Sequence, residues 1–234
     1  MEVKIVADSI CEDGRRITTF ELEYPRFIHA EFMTHRMFSR NAASSRAIPI
    51  SKVIEQVHTN PANPIHWGKN QAGMQAKEEL QGAEKDLAIS HWNIAAEQAG
   101  KVAAAMSELG LHKQVANRIL EPFVNIKVVV TATEYDNFFW LRCHPDAQPE
   151  IQALATLMFE ARENNTPYEL INGDWHVPYY GDGVWLNGAT EELSLGDALK
   201  VSASCCAQVS YRKSDESLEK AIEIYERLVE MRLF

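Results

Sequence analysis

From Phe32 to Ile54 the chain has no acidic side chain, although 33 acids against 23 bases leave it a formal net charge of -10. An even spread of those acids over 234 residues would put about three in this stretch. Within it, Thr34-His35-Arg36-Met37-Phe38-Ser39-Arg40-Asn41-Ala42-Ala43-Ser44-Ser45-Arg46 offers three guanidiniums, an imidazole, three serine hydroxyls and a carboxamide. Guanidinium forks bind phosphate oxygens in pairs, and short hydroxyl and amide side chains complete such a site. A positive island on an acidic protein points to a small anionic ligand. The acidic balance argues against nucleic acid, whose binders carry a basic face and a high pI.

Other chemistries find less support. The eight histidines include no H-x-x-x-H or H-E-x-x-H pair, so no metal site is expected. Cys11, Cys143, Cys205 and Cys206 show no C-x-x-C spacing, and neighbours such as Cys205 and Cys206 are a poor disulfide pair. A reducing cytoplasm is therefore the expected location. No apolar run approaches the ~18 residues that span a bilayer, so no membrane partner is expected. The strand-like opening Met1–Asp8 carries an early acid, unlike a signal peptide.

The elements that must position the island alternate in type. Residues 2–7 and 17–24 read as strands joined through Asp13-Gly14. In the second, Phe20, Leu22 and Tyr24 alternate with Thr19, Glu21 and Glu23, which predicts a sheet with one wet face. Pro25 closes that strand and opens a helix running towards Phe38. Ser39–Pro49 reads as a loop, 50–58 as a short helix and 59–73 as a loop. Residues 74–109 read as helix broken near Gly82. Leu87, His91, Ile94, Ala95, Gln98, Val102, Met106 and Leu109 form one stripe, expected to pack in the core, and Gly110 is a C-cap. A helix at 112–120, a β-rich run from Val124 to Thr133, a helix at 147–163, a loop-rich stretch at 165–193 and helices at 194–209 and 215–232 complete the chain. The expected fold class is mixed α/β, an antiparallel-rich sheet flanked by helices, in a single domain over 1–234. The charges at Glu216, Glu219, Lys220, Glu223, Glu226 and Arg227 read as a solvated helix face.

His35-Arg36, seven residues and then Ser44 resemble the R-H-R-x7-S signature of flavin-dependent thymidylate synthases. Asn137-Phe138-Phe139-Trp140-Leu141-Arg142 followed by Ala147-Gln148-Pro149-Glu150-Ile151 is similar to that family's N-x-x-x-L-R…A-Q-x-E-I stretch, and Arg118-Ile119-Leu120-Glu121-Pro122 to its R-x-x-x-P element. The resemblance implies an enzyme that makes thymidylate from dUMP. FAD, NADPH and 5,10-methylene-tetrahydrofolate would be its cofactors, and active sites would be shared within a homotetramer. The protein's part is to stack flavin, pyrimidine and folate, while the cofactor carries the hydride chemistry.

Carried over by position, His35 and Arg36 would lie against flavin and folate, and Asn41 and Asn137 would hydrogen-bond FAD. Ser44, Ser45 and Arg46 would hold the nucleotide phosphate and sugar. Arg118 would reach the phosphate from another subunit. Arg142 would face the uracil carbonyls, where a fixed cation stabilises charge developing on the ring. Catalysis would thus fall to His35, Arg36 and Arg142. Ser44 has no adjacent base and reads as a binding residue. Glu31, counted with the substrate-binding positions, stands where relatives commonly have Gln. Thr34 replaces the first Arg of the signature, and Ala42 stands where Glu or Gln is frequent. Ser202–Tyr211 resembles the family's A-A-R-V-S-Y segment, which usually precedes the signature, so the order looks circularly permuted. The H-x-[ST]-P-F-E-H box that normally follows and helps hold FAD has no copy here.

Plainer readings stand beside these. Arg36, Arg40 and Arg46 could be surface arginines, and His35 a core histidine satisfied by a backbone carbonyl. Arg118 could complement a helix dipole, and Arg142 could pair with Asp136, Asp146 or Glu150. The His66-Trp67-Gly68-Lys69-Asn70 loop reads as a folate platform or as a structural anchor, and Trp175-His176 admits the same two readings. Two rival functions also stay open: nucleotide hydroxymethylation on the same scaffold, and a nucleotide-binding subunit without catalysis.

Overall fold

In a computed structural model the described residues are 1–186, 193–210 and 217–230. Strand β1 (Glu2–Cys11) turns through Gly14, at φ +84, into β2 (Arg16–Pro25). A 3₁₀ turn at Arg26–Ile28 leads into the four-residue helix α1 (His29–Phe32), and a short strand β3 (Ser39–Ala42) follows. Next come helices α2 (Ile50–Thr59), α3 (Gly82–Glu108) and α4 (Lys113–Ala116), and a 3₁₀ turn at Asn117–Phe123. Strand β4 (Asn125–Ala132) precedes α5 (Asp136–Arg142) and α6 (Pro149–Glu163). The remaining elements are β5 (Tyr168–Leu170), β6 (Trp175–His176), β7 (Val184–Trp185), α7 (Leu195–Ala207) and α8 (Leu218–Glu230).

The main sheet has the order β3-β4-β2-β1-β5, antiparallel except for the β1–β5 pair. The expected mixed α/β class with an antiparallel-rich sheet is what forms. One face of β2 and β4 sends Phe20, Leu22, Tyr24, Val128 and Val130 into a core closed by Phe138 and Phe139 of α5 and by Ile151, Leu154 and Met158 of α6. Each such side chain contributes roughly 1.5–3 kcal/mol on burial. A second cluster joins Val53 and Val57 of α2 to Ala96 and Ala103 of α3, with Leu120 and Val124.

Several features differ from the sequence reading: the helix expected to run towards Phe38 ends at Phe32, and the one expected over 112–120 is α-helical only from Lys113 to Ala116. The 39–49 stretch contains β3, an edge strand paired with β4 from Ser39↔Thr131 to Ala42↔Val128; its polar side chains hide any strand alternation. The helix of α3 starts only at Gly82, at φ +54, and 74–81 is not helical. The apolar stripe of α3 is not core: Leu87, Ile94, Val102 and Leu109 are exposed, Leu109 to 87 %. The buried face consists of Ala96, Gly100 and Ala103. Small side chains let α2 approach closely; a Cβ on Gly100 would stand 3.3 Å from His58 Nε2.

The second face of β2 is also drier than alternation predicts, because the β6–β7 hairpin covers it. His176 lies between Ser9 Oγ on Nδ1 (2.9 Å) and Thr19 Oγ1 on Nε2 (2.9 Å), and Thr19 bonds on to Thr131 Oγ1 (2.8 Å). Tyr179 donates to Glu21 (2.6 Å). Of the two readings of Trp175-His176, the histidine takes the structural one. On α8, Lys220 and Arg227 both pair with Glu223 at the surface; Glu216 lies outside the described residues.

Burial pushes the His176 imidazole down to about 4. In the unfolded chain it takes a proton near pH 6.5. Between those values the unfolded state binds the extra proton, so stability is lost as pH falls from about 6.5 towards 4. Urea unfolding from pH 7 to 4.5 should show a loss on the order of 2 kcal/mol from this residue. In His176→Gln that component of the slope should disappear.

Candidate active site

The loop after α1 is shaped by Arg40. Its guanidinium donates to the carbonyls of His35 (3.1 Å), Phe38 (2.7 Å) and Met33 (2.9 Å). One of the three arginines of the acid-free island therefore serves the loop's own fold.

His35 is 8 % exposed and packs edge-on against Phe138, with ring centroids 4.8 Å apart. Burial, together with the Arg142 and Arg40 charges, pushes its imidazole down to about 4, so it is neutral at physiological pH. Its Nε2 accepts from Arg142 Nε (2.9 Å), which places the ring proton on Nδ1. Arg142 also pairs with the Glu31 carboxylate, and its Nη2 stands 3.5 Å from Thr34 Oγ1. Helix α5 delivers Arg142 from its last turn, where a cation suits the dipole, and Phe138 and Phe139, one turn earlier on the same side, are buried. The salt bridge runs to Glu31 rather than to Asp136, Asp146 or Glu150, and His35 is satisfied by a guanidinium rather than a backbone carbonyl.

Glu31 and Arg142 form part of the wall of a cavity of about 1090 Å³ that also meets Phe27, His66, Trp92 and Glu150. The 60–81 loop covers it. Trp92 donates to Ala62 O (2.9 Å) and stacks edge-on with Trp67 at 6.2 Å. Glu150 accepts from Ile65 N (2.8 Å). The His66-Trp67 loop thus anchors itself on α3 through Trp67 and lends His66 to the cavity wall.

A second cluster gathers around Glu121. Its Oε1 accepts from Ser45 Oγ (2.8 Å), Arg26 Nη2 (3.1 Å) and Arg118 Nη1 (3.3 Å). Arg118 is therefore close to Ser45 of the same chain, through their shared acceptor Glu121. The fully buried Asn117 donates to the carbonyls of Ser45 (2.7 Å) and Ile48 (3.0 Å), fixing this backbone. Ser44 N donates to Ser210 Oγ (2.8 Å), and the Asn41 amide donates to Cys206 O (2.8 Å) and Ala207 O (3.3 Å). The late 202–210 segment therefore docks directly on the signature; Tyr211 lies outside the described residues. Arg36, Arg46 and Asn137 are exposed, and their side chains make no hydrogen bond or ion pair among the described residues. No group of His, Cys, Asp and Glu among the described residues is placed to hold a metal ion.

The sequence reading missed Glu121, Arg26 and Asn117. Glu121 had a signal, being one helical turn beyond Arg118, but Arg26 and Asn117 come together with it only through the fold.

Residues 16–168 match the family described as thymidylate synthase complementing protein, a span holding every signature position named above except the 202–211 segment. The chain belongs to this family. Similar solved structures include the UMP/dUMP methylase PolB from Streptomyces cacaoi bound with 5-Br dUMP. It has 17 % identity and a TM-score of 0.54 over 68 % of this chain and 88 % of that one. The same methylase bound with 5-Br UMP gives 18 % and 0.53 over 68 % and 87 %. The flavin-dependent thymidylate synthase ThyX from Helicobacter pylori, complexed with FAD and dUMP, gives 20 % and 0.43 over 62 % and 67 %. Among curated proteins none matches. At 17–18 % identity, the likeness to the methylase is one of fold.

Replacing Arg142 by Gln removes one of the charges that keep His35 unprotonated and leaves Glu31 without its cation. The His35 titration followed by NMR should move up towards the usual histidine value, without reaching it, because burial persists. An unmoved titration would contradict the pairing.

Proposed function

We propose that this chain is a flavin-dependent thymidylate synthase, moving a one-carbon unit from 5,10-methylene-tetrahydrofolate to C5 of dUMP. The observation that supports this most is Arg142, immobilised by Glu31 and neutral His35 on the wall of a large cavity. A guanidinium held in place before substrate arrives stabilises negative charge developing on a pyrimidine carbonyl without reorganising. His35 contributes as an uncharged acceptor that aims the guanidinium. Ser44 Oγ has no base bonded to it among the described residues, so Ser44 binds rather than attacks. Arg46 and Ser45 engage the 5′-phosphate. PolB, bound with brominated UMP and dUMP, adds support for a pyrimidine nucleotide ligand.

The donor set suits FAD. Arg36 and Asn137 have uncommitted polar groups, and each has an exposed apolar neighbour, Met37 and Trp140. The two segments meet at the His35–Phe138 contact. Asn41 already donates to α7 and would accept through its amide oxygen. FAD would supply the hydride that reduces the transferred carbon, with NADPH as electron source. Hydroxymethyl transfer is the second reading, favoured by Thr34, whose hydroxyl donates to Glu31 O (2.7 Å) where the family signature has a cation. The exposed α3 stripe supports a homotetramer, and a cytoplasmic location fits the absence of any C-x-x-C spacing in the sequence.

Bound flavin should give the purified protein two visible absorption bands; a colourless protein that refuses added FAD but binds dUMP would favour the second reading. Arg46→Ala should weaken dUMP binding at least about tenfold by calorimetry. Arg36→Ala should lower FAD uptake more than dUMP affinity, and equal loss of both would undo that assignment. Val102→Glu should shift the protein to smaller species in light scattering, whereas an unchanged mass would remove α3 from the subunit contact.

A further inference from the structure

Three donors converge on a single carboxylate oxygen at Glu121: one serine hydroxyl and two guanidiniums from separate segments, all within 3.3 Å. That is the coordination an anionic phosphate oxygen seeks. The Ser45 backbone cannot drift, because Asn117 holds its carbonyl from inside the core. The next residue, Arg46, stands exposed with no partner among the described residues. An anion arriving at Arg46 therefore meets Ser45, whose hydroxyl has one proton and already gives it to Glu121. It also meets Arg118, whose Nη1 is on the same oxygen. The ligand and Glu121 cannot both hold the Ser45 proton, and two anions sharing these donors repel each other.

We propose that Glu121 is an internal stand-in for phosphate. Its carboxylate gathers Ser45, Arg26 and Arg118, and a nucleotide 5′-phosphate binds by displacing it. This makes Arg26 a phosphate ligand, a role that no sequence motif of the chain assigns to it. The inference rests on reading 44–46 as the nucleotide site and adds a specificity consequence: affinity depends on a dianion strong enough to compete. A ligand without phosphate gains nothing from the displacement.

The test measures inorganic phosphate, dUMP and deoxyuridine binding by calorimetry in the full chain and in Glu121→Gln, which keeps the side-chain size and removes the charge. Phosphate and dUMP should both tighten, roughly tenfold, since a neutral acceptor holds guanidiniums about half as strongly. Deoxyuridine should not change. Equal or weaker phosphate binding in Glu121→Gln would overturn the proposal and make Glu121 a positioning residue. Arg26→Gln, in the otherwise natural chain, should weaken phosphate several-fold; unchanged affinity would also overturn it, even if Glu121→Gln failed to fold. Phosphate that tightens in Glu121→Gln while no form binds dUMP would uphold the stand-in and sink the nucleotide reading instead.

Discussion

The pairing of Arg142 with Glu31 and His35 ties α5 to α1 and the loop that follows it. A half-buried guanidinium needs a counter-charge and an acceptor, and these come from α1 and the loop behind it. His35 can accept only while unprotonated, which its packing against Phe138 and Phe38 ensures. That packing in turn needs Phe38 turned inward, and Arg40 holds the loop so by capturing three carbonyls. Core aromatics, loop and the Arg142 guanidinium are one unit, so a change in any of them reaches the others.

The acid-free stretch divides its cations by task. Arg40 works on the backbone, while the Arg36 and Arg46 side chains are exposed to solvent. Acids missing from the local sequence return through the fold, as Glu31 from just before the stretch and Glu121 from far along the chain. A local count of charge thus overstates the field at the site. What it locates correctly is where donors are dense.

The sheet and the long helices were legible because their apolar residues alternate or recur in a regular way. Phe20, Leu22 and Tyr24 marked β2, and Val128–Val130 marked β4. Strand β3 was not, since Ser39, Arg40 and Asn41 have no apolar period and pair only because β4 offers an edge. The α3 stripe misled because periodicity shows that a helix has an apolar face, and not whether that face meets its own chain. Ala96, Gly100 and Ala103, too small to stand out, form the true inner contact. Thr19 read as wet because a hairpin more than 150 residues later covers it. His35 and Arg142 were legible as members of motifs; their mutual bond was not, because nothing local links residues 107 apart.

The contact between Asn41, Ser44 and residues 206–210 has a consequence for synthesis. Strands β1 to β4 are complete once residue 132 has left the ribosome, so the sheet can form early. The signature loop, already made, must wait for more than seventy further residues before its last protein partners emerge. The loop is therefore completed late, and a nascent chain carries four paired strands well before Asn41 and Ser44 have their full set of contacts.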